Sequence, residues 1–149
     1  MITLNLTKLF LRDLEKLKTE ITSYKDEKKM WQIEGEVKNS AGNLCLHICG
    51  NLQHFVGAVL GNSGYERKRD LEFSKKNIPV DEMVEEIDKT LQVVEQTLSQ
   101  LKEEKLDETF PINVFGYEMT TGFFLTHLTT HLSYHLGQIN YQRRLLDTE

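Results

Sequence analysis

Four stretches of the chain carry apolar residues at steps of three and four, the spacing that places them on one face of an α-helix. Polar side chains fill the other face, and Gly, Pro or dense charge separates the stretches. The pattern therefore predicts helices over residues 2–23, 40–60, 79–104 and 120–146. The stripe of the first helix consists of Leu6, Phe10, Leu14, Leu17 and Ile21.

Residues that favour helix starts stand at the predicted boundaries. Asn39 or Ser40 can cap the second helix, because a short polar side chain accepts a hydrogen bond from a free backbone N–H. Pro79 suits the first turn of the third helix, where no N–H is needed. Thr120 or Thr121 can cap the last helix.

The connection over residues 61–78 is long for a helical bundle, whose connections usually have about two to eight residues. Its length indicates a crossover that traverses a bundle rather than a tight hairpin. Residues 24–39 read as a charged connection that contains Trp31, and residues 105–119 as irregular chain. Because no stretch alternates as a strand would, we predict an all-α four-helix bundle in a single domain over residues 1–149.

Composition narrows the classes of function. Charged residues make up 28% of the chain, apolar residues 39%, and the net charge is -5, which is typical of a globular protein and unfavourable for binding nucleic acid. The N-terminal residues lack a signal-peptide pattern, and no apolar run approaches the ~20 residues that span a bilayer. We therefore expect a cytoplasmic protein with no nucleic-acid or membrane partner. Cys45 and Cys49 are expected to be small buried side chains.

All five histidines fall in two of the predicted helices. His47 and His54 lie in the second helix, and His127, His131 and His135 follow one another by single turns in the last. Histidines four residues apart stand ~6 Å apart along a helix and can share one metal ion, whereas those eight apart, at ~12 Å, cannot. The spacing predicts a site made of one histidine pair from the last helix and one histidine from the second. It does not decide between His127/His131 and His131/His135 for the pair, or between His47 and His54 for the single residue.

Three segments resemble one family. The run His131-Leu-Ser-Tyr-His135-Leu-Gly-Gln-Ile139 resembles the last-helix signature of the DinB-like (DinB/YfiT) metalloproteins, in which two histidines four residues apart precede a Gly-Gln pair. The segment 43–52, around His47, is similar to the second-helix segment of that family. The segment 67–73 resembles the loop of one uncharacterised branch.

The resemblance implies a ligand set and a topology. It carries the metal ligands over to His47, His131 and His135 and leaves His54 without an assigned role. His127 becomes a candidate for contacting a ligand histidine from outside the metal's own ligands. It implies an up-down-down-up order of helices, which agrees with the long crossover between the second and third. It also implies a homodimer, and for some members a transferase or isomerase activity that uses a low-molecular-weight thiol. The family name implies no contact with DNA.

Other polar residues are candidates for roles near the metal. Gln138 could hydrogen bond to a ligand histidine and fix its tautomer. Arg67 and Arg69 could bind an anionic substrate. For these two arginines, solvated loop charges or salt bridges at the end of the bundle are at least as good an interpretation. Asp70 and Glu72 are candidate bases only because the resembling motif contains them.

Three histidines leave at least one position of a divalent ion open, which is typical of catalytic rather than structural sites. The leading hypothesis is therefore a metal-dependent transferase that joins a small thiol to an electrophile, with a related hydrolase as a variant. The alternative is a non-enzymatic metal-binding or dimerisation module, and a bundle without metal is a third interpretation. Among metals, we expect zinc or nickel.

Overall fold

The computed structural model describes residues 1–148, and the regular elements within them are all helices. Short 3-10 helices lie in the connections at Glu27–Trp31 and Glu103–Asp107. Within the described residues there is no strand, and Thr109 and Thr120 form a single isolated bridge. The all-α prediction is therefore confirmed. The helices are α1 (Ile2–Thr22), α2 (Ala41–Leu52), α3 (Arg69–Ser74), α4 (Val80–Gln100) and α5 (Thr121–Leu146).

The second predicted helix changes its winding partway along. After α2 the chain continues as a π-helix over Gln53–Leu60, in which each turn takes up more residues. Such segments break the regular three-and-four spacing, so a residue after Leu52 no longer faces where an α-helical pattern would place it. His47 lies before this change of winding, and His54 lies after it.

The helix starts follow the capping chemistry of the sequence. Ser40 precedes α2, and its side chain accepts a hydrogen bond from the backbone N–H of Asn43. Thr120 precedes α5 and accepts in the same way from Phe123. Pro79 stands immediately before α4. In each case the cap satisfies or removes an N–H that the helix cannot pair internally.

Helix packing places α2 at the centre of the molecule. The helix α1 packs against α4 and α5, while α2 packs against α3, α4 and α5. The predicted stripe of α1 is buried, and Phe10, Leu14, Leu17 and Ile21 have no exposed surface. All but one of the residues of α2 are buried, so its polar side chains lie inside the protein. No helix among residues 1–148 is long and apolar enough to cross a membrane.

Three short elements differ from the prediction. The connection over residues 61–78 contains α3, whose six residues are too few to show a helical period. The segment 24–39, predicted as a charged connection, contains a 3-10 helix in which Met30 and Trp31 are buried. The third is the 3-10 helix Glu103–Asp107, where the sequence predicts the end of a helix and irregular chain. All three form because tertiary contacts stabilise them, since single helical turns are not stable alone.

Candidate metal centre

Two helices bring three histidines together. His47 stands on α2, and His131 and His135 stand one turn apart on α5, which packs against α2. The Nε2 atom of His131 lies 3.2 Å from Nε2 of His47 and 3.1 Å from Nε2 of His135. One nitrogen of each ring falls within 4.8 Å of the others, so the group could hold a metal ion.

The outer nitrogens of two of these rings are held by oxygen acceptors. His47 Nδ1 lies 3.0 Å from Glu72 Oε1, and His135 Nδ1 lies 2.7 Å from Gln138 Oε1. A carboxylate or amide oxygen accepts only, so each Nδ1 carries the proton and donates it. The Nε2 atoms of His47 and His135 therefore present bare lone pairs to the centre.

This arrangement fits a cation. His131 Nε2 can donate a proton to one neighbour at most, so one lone pair still faces another nitrogen across the centre. Nitrogens that each lie about 2.1 Å from one ion at a tetrahedral angle are about 3.4 Å apart. The two distances to His131 are within a few tenths of an ångström of that value, and a divalent ion would receive all three lone pairs.

Burial keeps the cluster in the form that binds metals. Burial, and then the neighbouring His135 and His47, lower the pKa of His131 to about 3. The pKa of His135 is lowered as well, chiefly by burial. Both imidazoles are therefore neutral at neutral pH, and a neutral imidazole is the form that ligates a metal.

Glu72 is a clamp on His47 rather than a free base. Its Oε1 accepts from His47 Nδ1 and from Arg67 Nη2 at 3.0 Å, and its Oε2 accepts from Arg67 Nε at 2.9 Å. Burial by itself would raise the pKa of Glu72, but the hydrogen bonds from His47 and Arg67 outweigh it and the pKa is lowered. The carboxylate stays ionised and orients the His47 ring, as carboxylates behind metal-binding histidines commonly do.

A glycine makes room for this carboxylate. A Cβ atom at Gly50 of α2 would lie 1.9 Å from Glu72 Oε2 and 2.6 Å from its carboxyl carbon. Any larger residue at this position would displace the Glu72 side chain from His47. A glycine inside a helix costs about 1 kcal/mol relative to alanine, so its presence here has a packing reason.

Asn43 fastens the segment that carries Glu72. Its Nδ2 donates to the backbone oxygens of Glu72 at 2.9 Å and Lys75 at 2.8 Å, and Asn43 is fully buried. These bonds hold the end of α3 against the first turn of α2. Two residues of α2 therefore determine the position of Glu72. Asn43 holds the backbone of Glu72, and Gly50 leaves the space that the Glu72 side chain occupies.

The remaining sequence candidates have different surroundings. Gln138 forms a hydrogen bond with His135, in agreement with the sequence prediction. His127 contacts the rings of Phe115 and Phe124, and its ring centre lies 6.1 Å from that of His131. His54 contacts Phe55 and is outside the cluster.

The charged candidates of the segment 67–73 have separate roles. Arg67 pairs with Glu72, and the Arg69 guanidinium lies 5.2 Å from the centre of the Phe73 ring. Asp70 is exposed in the first turn of α3. Of these three side chains, Arg67 comes closest to the histidines, since its Nη2 atom lies 3.4 Å from His47 Nδ1.

Two cavities flank the histidines. One, of about 240 Å³, is lined by His47 and His131 together with Asn51, Arg67 and other residues. The other, of about 650 Å³, is lined by His135 and Gln138 with the exposed rings of Tyr134 and Tyr141. The cluster is therefore reached from two sides, which distinguishes it from a closed structural metal site.

The sequence reasoning missed Gly50 and Asn43, which position Glu72, and Asn51, which lines the neighbouring cavity. A glycine in the middle of an apolar helical stripe was the one available signal for Gly50. Asn43 and Asn51 stand four residues before and after His47, on the same helix face, but nothing local shows that they are buried.

Comparisons with known sequences give a family without an assigned role. The family described as Protein of unknown function (DUF1572) matches residues 4–149. None of the curated proteins matches the chain.

Proposed function

The chain belongs to the family described as Protein of unknown function (DUF1572), and we propose that it binds one divalent metal ion through His47, His131 and His135. The observation that carries the proposal is that one nitrogen from each of the three imidazole rings meets at one point. In His47 and His135 the proton is held on the other nitrogen, Nδ1, by Glu72 and Gln138. Zinc or nickel is the proposed ion, because three neutral imidazoles suit both.

We propose further that the site is catalytic, in a transferase that joins a low-molecular-weight thiol to an electrophile. A bound ion would supply Lewis acidity that favours the thiolate form of a small thiol. The chain itself orients His47 and His135, keeps His131 and His135 neutral, and lines a cavity with His47 and His131. The open side of the cluster supports a catalytic role over a structural one.

The surroundings of Glu72 favour the transferase over the related hydrolase. Many hydrolases use a carboxylate base to activate water, and Glu72 is not free for that role because both of its oxygens are engaged by His47 and Arg67. No acidic residue is among the described residues that line the 240 Å³ cavity. The competing proposal, a non-enzymatic metal-binding or dimerisation module, draws support from the same lack of a free carboxylate among the described residues of the lining.

The finer structural proposals rest on the resemblance and on helix packing. We propose that residues 1–149 form a single DinB-like domain, a four-helix bundle of α1, α2 with its π-helical continuation, α4 and α5 in up-down-down-up order. The crossover over residues 61–78, with α3 inside it, supports this order. We also propose a homodimer, which the exposed Tyr134, Tyr141 and Leu145 on α5 support.

Metal analysis tests the first part of the proposal. We expect one divalent ion per chain in the wild type, and its loss from the His131→Ala and His135→Ala variants. His127→Ala is the matched control, because His127 lies on the same helix outside the cluster. Undiminished metal in a variant that lacks His47, His131 and His135 together would refute the site.

A cobalt-loaded protein separates enzyme from module. If the site is catalytic, a small thiol such as 2-mercaptoethanol should change the visible spectrum, with an effect that grows as pH brings out the thiolate. The loaded protein should also speed addition of the thiol to a simple electrophile, and His135→Ala should abolish both effects. A spectrum that ignores thiols at every pH leaves the metal-binding module as the function.

A further inference from the structure

His127 is a half-buried histidine of α5 that stands outside the three-histidine cluster. It lies one helical turn before His131, and the centres of the two rings are 6.1 Å apart. Its ring centre is 4.9 Å from that of Phe115, which it meets edge-on, and 5.8 Å from that of Phe124, to which it is nearly parallel. Aromatic contacts therefore hold the His127 ring, and its nitrogens are not needed for that purpose.

Both ring nitrogens of His127 are available to a bound molecule. Neither has a hydrogen-bond partner among residues 1–148, whereas each ring of the cluster is engaged by its neighbours. Neither is sealed from solvent, because the sealed polar atoms without a partner in the described chain belong to Tyr24, Asn51 and Gln142. Since imidazole can accept and donate protons near neutral pH, this ring can take part in a proton transfer.

Among the described residues that line the 240 Å³ cavity, His127 is the one side chain that can act as a base. The lone pairs of His47 and His131 are committed to the cluster. An arginine side chain stays protonated, and an amide accepts hydrogen bonds but not protons at neutral pH. The polar residues of the lining are His47, Asn51, Arg67, Arg69, His127 and His131.

The position of His127 suits proton removal from a molecule beside the cluster. A base must lie within about 3 Å of the proton that it removes, or one water molecule away. His127 and His131 line the same cavity, so a small molecule in it can contact the cluster on one side and His127 on the other. Phe115 and Phe124 line that cavity too, and their rings suit an apolar electrophile.

We propose that His127 is a catalytic residue, the base that removes the proton of the thiol in the cavity lined by His47 and His131. The electron pair of the S–H bond forms the new S–C bond to the electrophile, an alkene conjugated to a carbonyl group. The thiol proton goes to a ring nitrogen of His127 and then to water. The π pair of the alkene moves to the neighbouring carbon, which takes a proton from water. The inference rests on the metal-dependent thiol transfer proposed above.

Two sulfur nucleophiles separate proton removal from the rest of the reaction. 2-Mercaptoethanol keeps its proton at neutral pH, whereas thioacetate is already ionised and needs no base. With zinc-loaded protein and benzylideneacetone as the electrophile, His127→Phe should slow the 2-mercaptoethanol reaction about 100-fold and the thioacetate reaction less than about threefold. Equal slowing of both reactions would make His127 a structural residue, and slowing of neither would leave it without a role. Either result would overturn the inference.

His54→Phe is the matched control. His54 is also half-buried and in contact with a phenylalanine ring, but it lies outside the cluster and is not part of the lining of this cavity. Both reactions should run in this variant as they do in the wild type. A selective loss of the 2-mercaptoethanol reaction in His54→Phe as large as that in His127→Phe would show that the effect does not come from the cavity, and would overturn the inference.

Nuclear magnetic resonance of the wild type tests the contact without turnover and without a variant that must fold. In zinc-loaded protein with isotope-labelled histidine, thioacetate added without an electrophile should shift the ring signals of His127. The ring signals of His54 should stay in place. If the His127 signals do not move while thioacetate changes the visible spectrum of the cobalt-loaded protein, the sulfur lies out of reach of His127 and the inference fails.

Metal analysis and the cobalt spectrum separate the two proposals. If the wild type holds no metal, or its cobalt spectrum ignores both sulfur compounds, the metal-dependent transfer fails and the role of His127 fails with it. If metal is bound and the spectrum responds, but the two reactions keep their wild-type ratio in His127→Phe, the metal function stands and the inference about His127 alone fails.

Discussion

The α1–α4 pair and the corner formed by α2, α3 and α5 differ in the polarity of the side chains that they bury. Nine of the twelve buried residues of α1 and α4 are apolar, and the exceptions are Thr3, Asp13 and Thr90. A partly exposed ion pair, Lys18–Asp88, joins the two helices. In the other corner the interior contains Asn43, His47 and Glu72. Apolar burial is the main stabilising contribution, whereas buried polar groups are tolerated only when they are paired.

The difference indicates a division of labour. The α1–α4 pair can hold the molecule together through contacts that need no exact geometry. The polar corner depends on distances of about 3 Å between particular atoms, because hydrogen bonds weaken steeply with poor geometry. Changes in the first region should therefore reduce stability and spare the site, while changes in the second should disturb the site more than the fold.

The largest expected effect is in the apolar pair. Leu14 on α1 has no exposed surface, and Leu14→Ala should lower the free energy of unfolding by about 2–5 kcal/mol, through lost burial and a cavity. Denaturant unfolding measures this change. Leu4→Ala on the same helix is the control, because Leu4 is 50% exposed and its loss should cost about 0.5 kcal/mol or less. Equal losses in the two variants would contradict the assignment of α1 as a core helix.

The next effect concerns the metal centre. Gly50→Ala should expel the Glu72 carboxylate from His47 and reduce metal affinity about 10- to 100-fold, as loss of an orienting partner does. A competition titration with a metal-binding dye measures it.

Gly137→Ala provides the comparison for this substitution. Gly137 lies on α5, two residues after His135, and a Cβ atom at this position would meet nothing within 4 Å. This variant should keep its metal affinity and gain up to about 1 kcal/mol of helix stability. If Gly50→Ala binds metal as tightly as Gly137→Ala, Glu72 does not position His47.

A smaller effect is expected from the bonds that fasten α3. Asn43→Ala removes two donors to the backbone oxygens of Glu72 and Lys75 and should lower the free energy of unfolding by about 1–2 kcal/mol. Hydrogen exchange should show the amides of α3 opening more readily, while those of α1 keep their protection. Uniform loss of protection over both helices would mean that the polar corner and the apolar pair unfold as one unit.

The smallest expected effect is at the surface of the apolar pair. Lys18 Nζ lies 2.9 Å from Asp88 Oδ1, and both side chains are partly exposed. A double-mutant cycle with alanine at both positions should give a coupling of about 0.2–1 kcal/mol, because solvent and side-chain entropy offset the attraction. The coupling should shrink in high salt. A value that exceeds this range and resists salt would place the pair among the contacts that hold α1 to α4.

The sequence alone was enough to predict the long helices. Apolar periodicity located α1, α4 and α5 to within a few residues, because a stripe that must be buried imposes its spacing over many turns. The same periodicity does not predict α3, which has only six residues, and it does not predict the π-helical winding after Leu52. Short elements form through contacts with the rest of the chain, and local sequence does not record those contacts.

For the candidate site, the sequence determined the spacing of the histidines on each helix, and the tertiary structure decided which of them meet. Spacing within one helix is a local property, so His131 and His135 could be recognised as a pair that can share an ion. The approach of His47 rather than His54 depends on how α2 packs against α5. The hydrogen bond from His47 to Glu72 depends on two contacts of α2. Asn43 binds the backbone of α3, and the missing side chain of Gly50 leaves space for the Glu72 carboxylate. Contacts between residues far apart in the chain are decided by packing, and no local pattern specifies them.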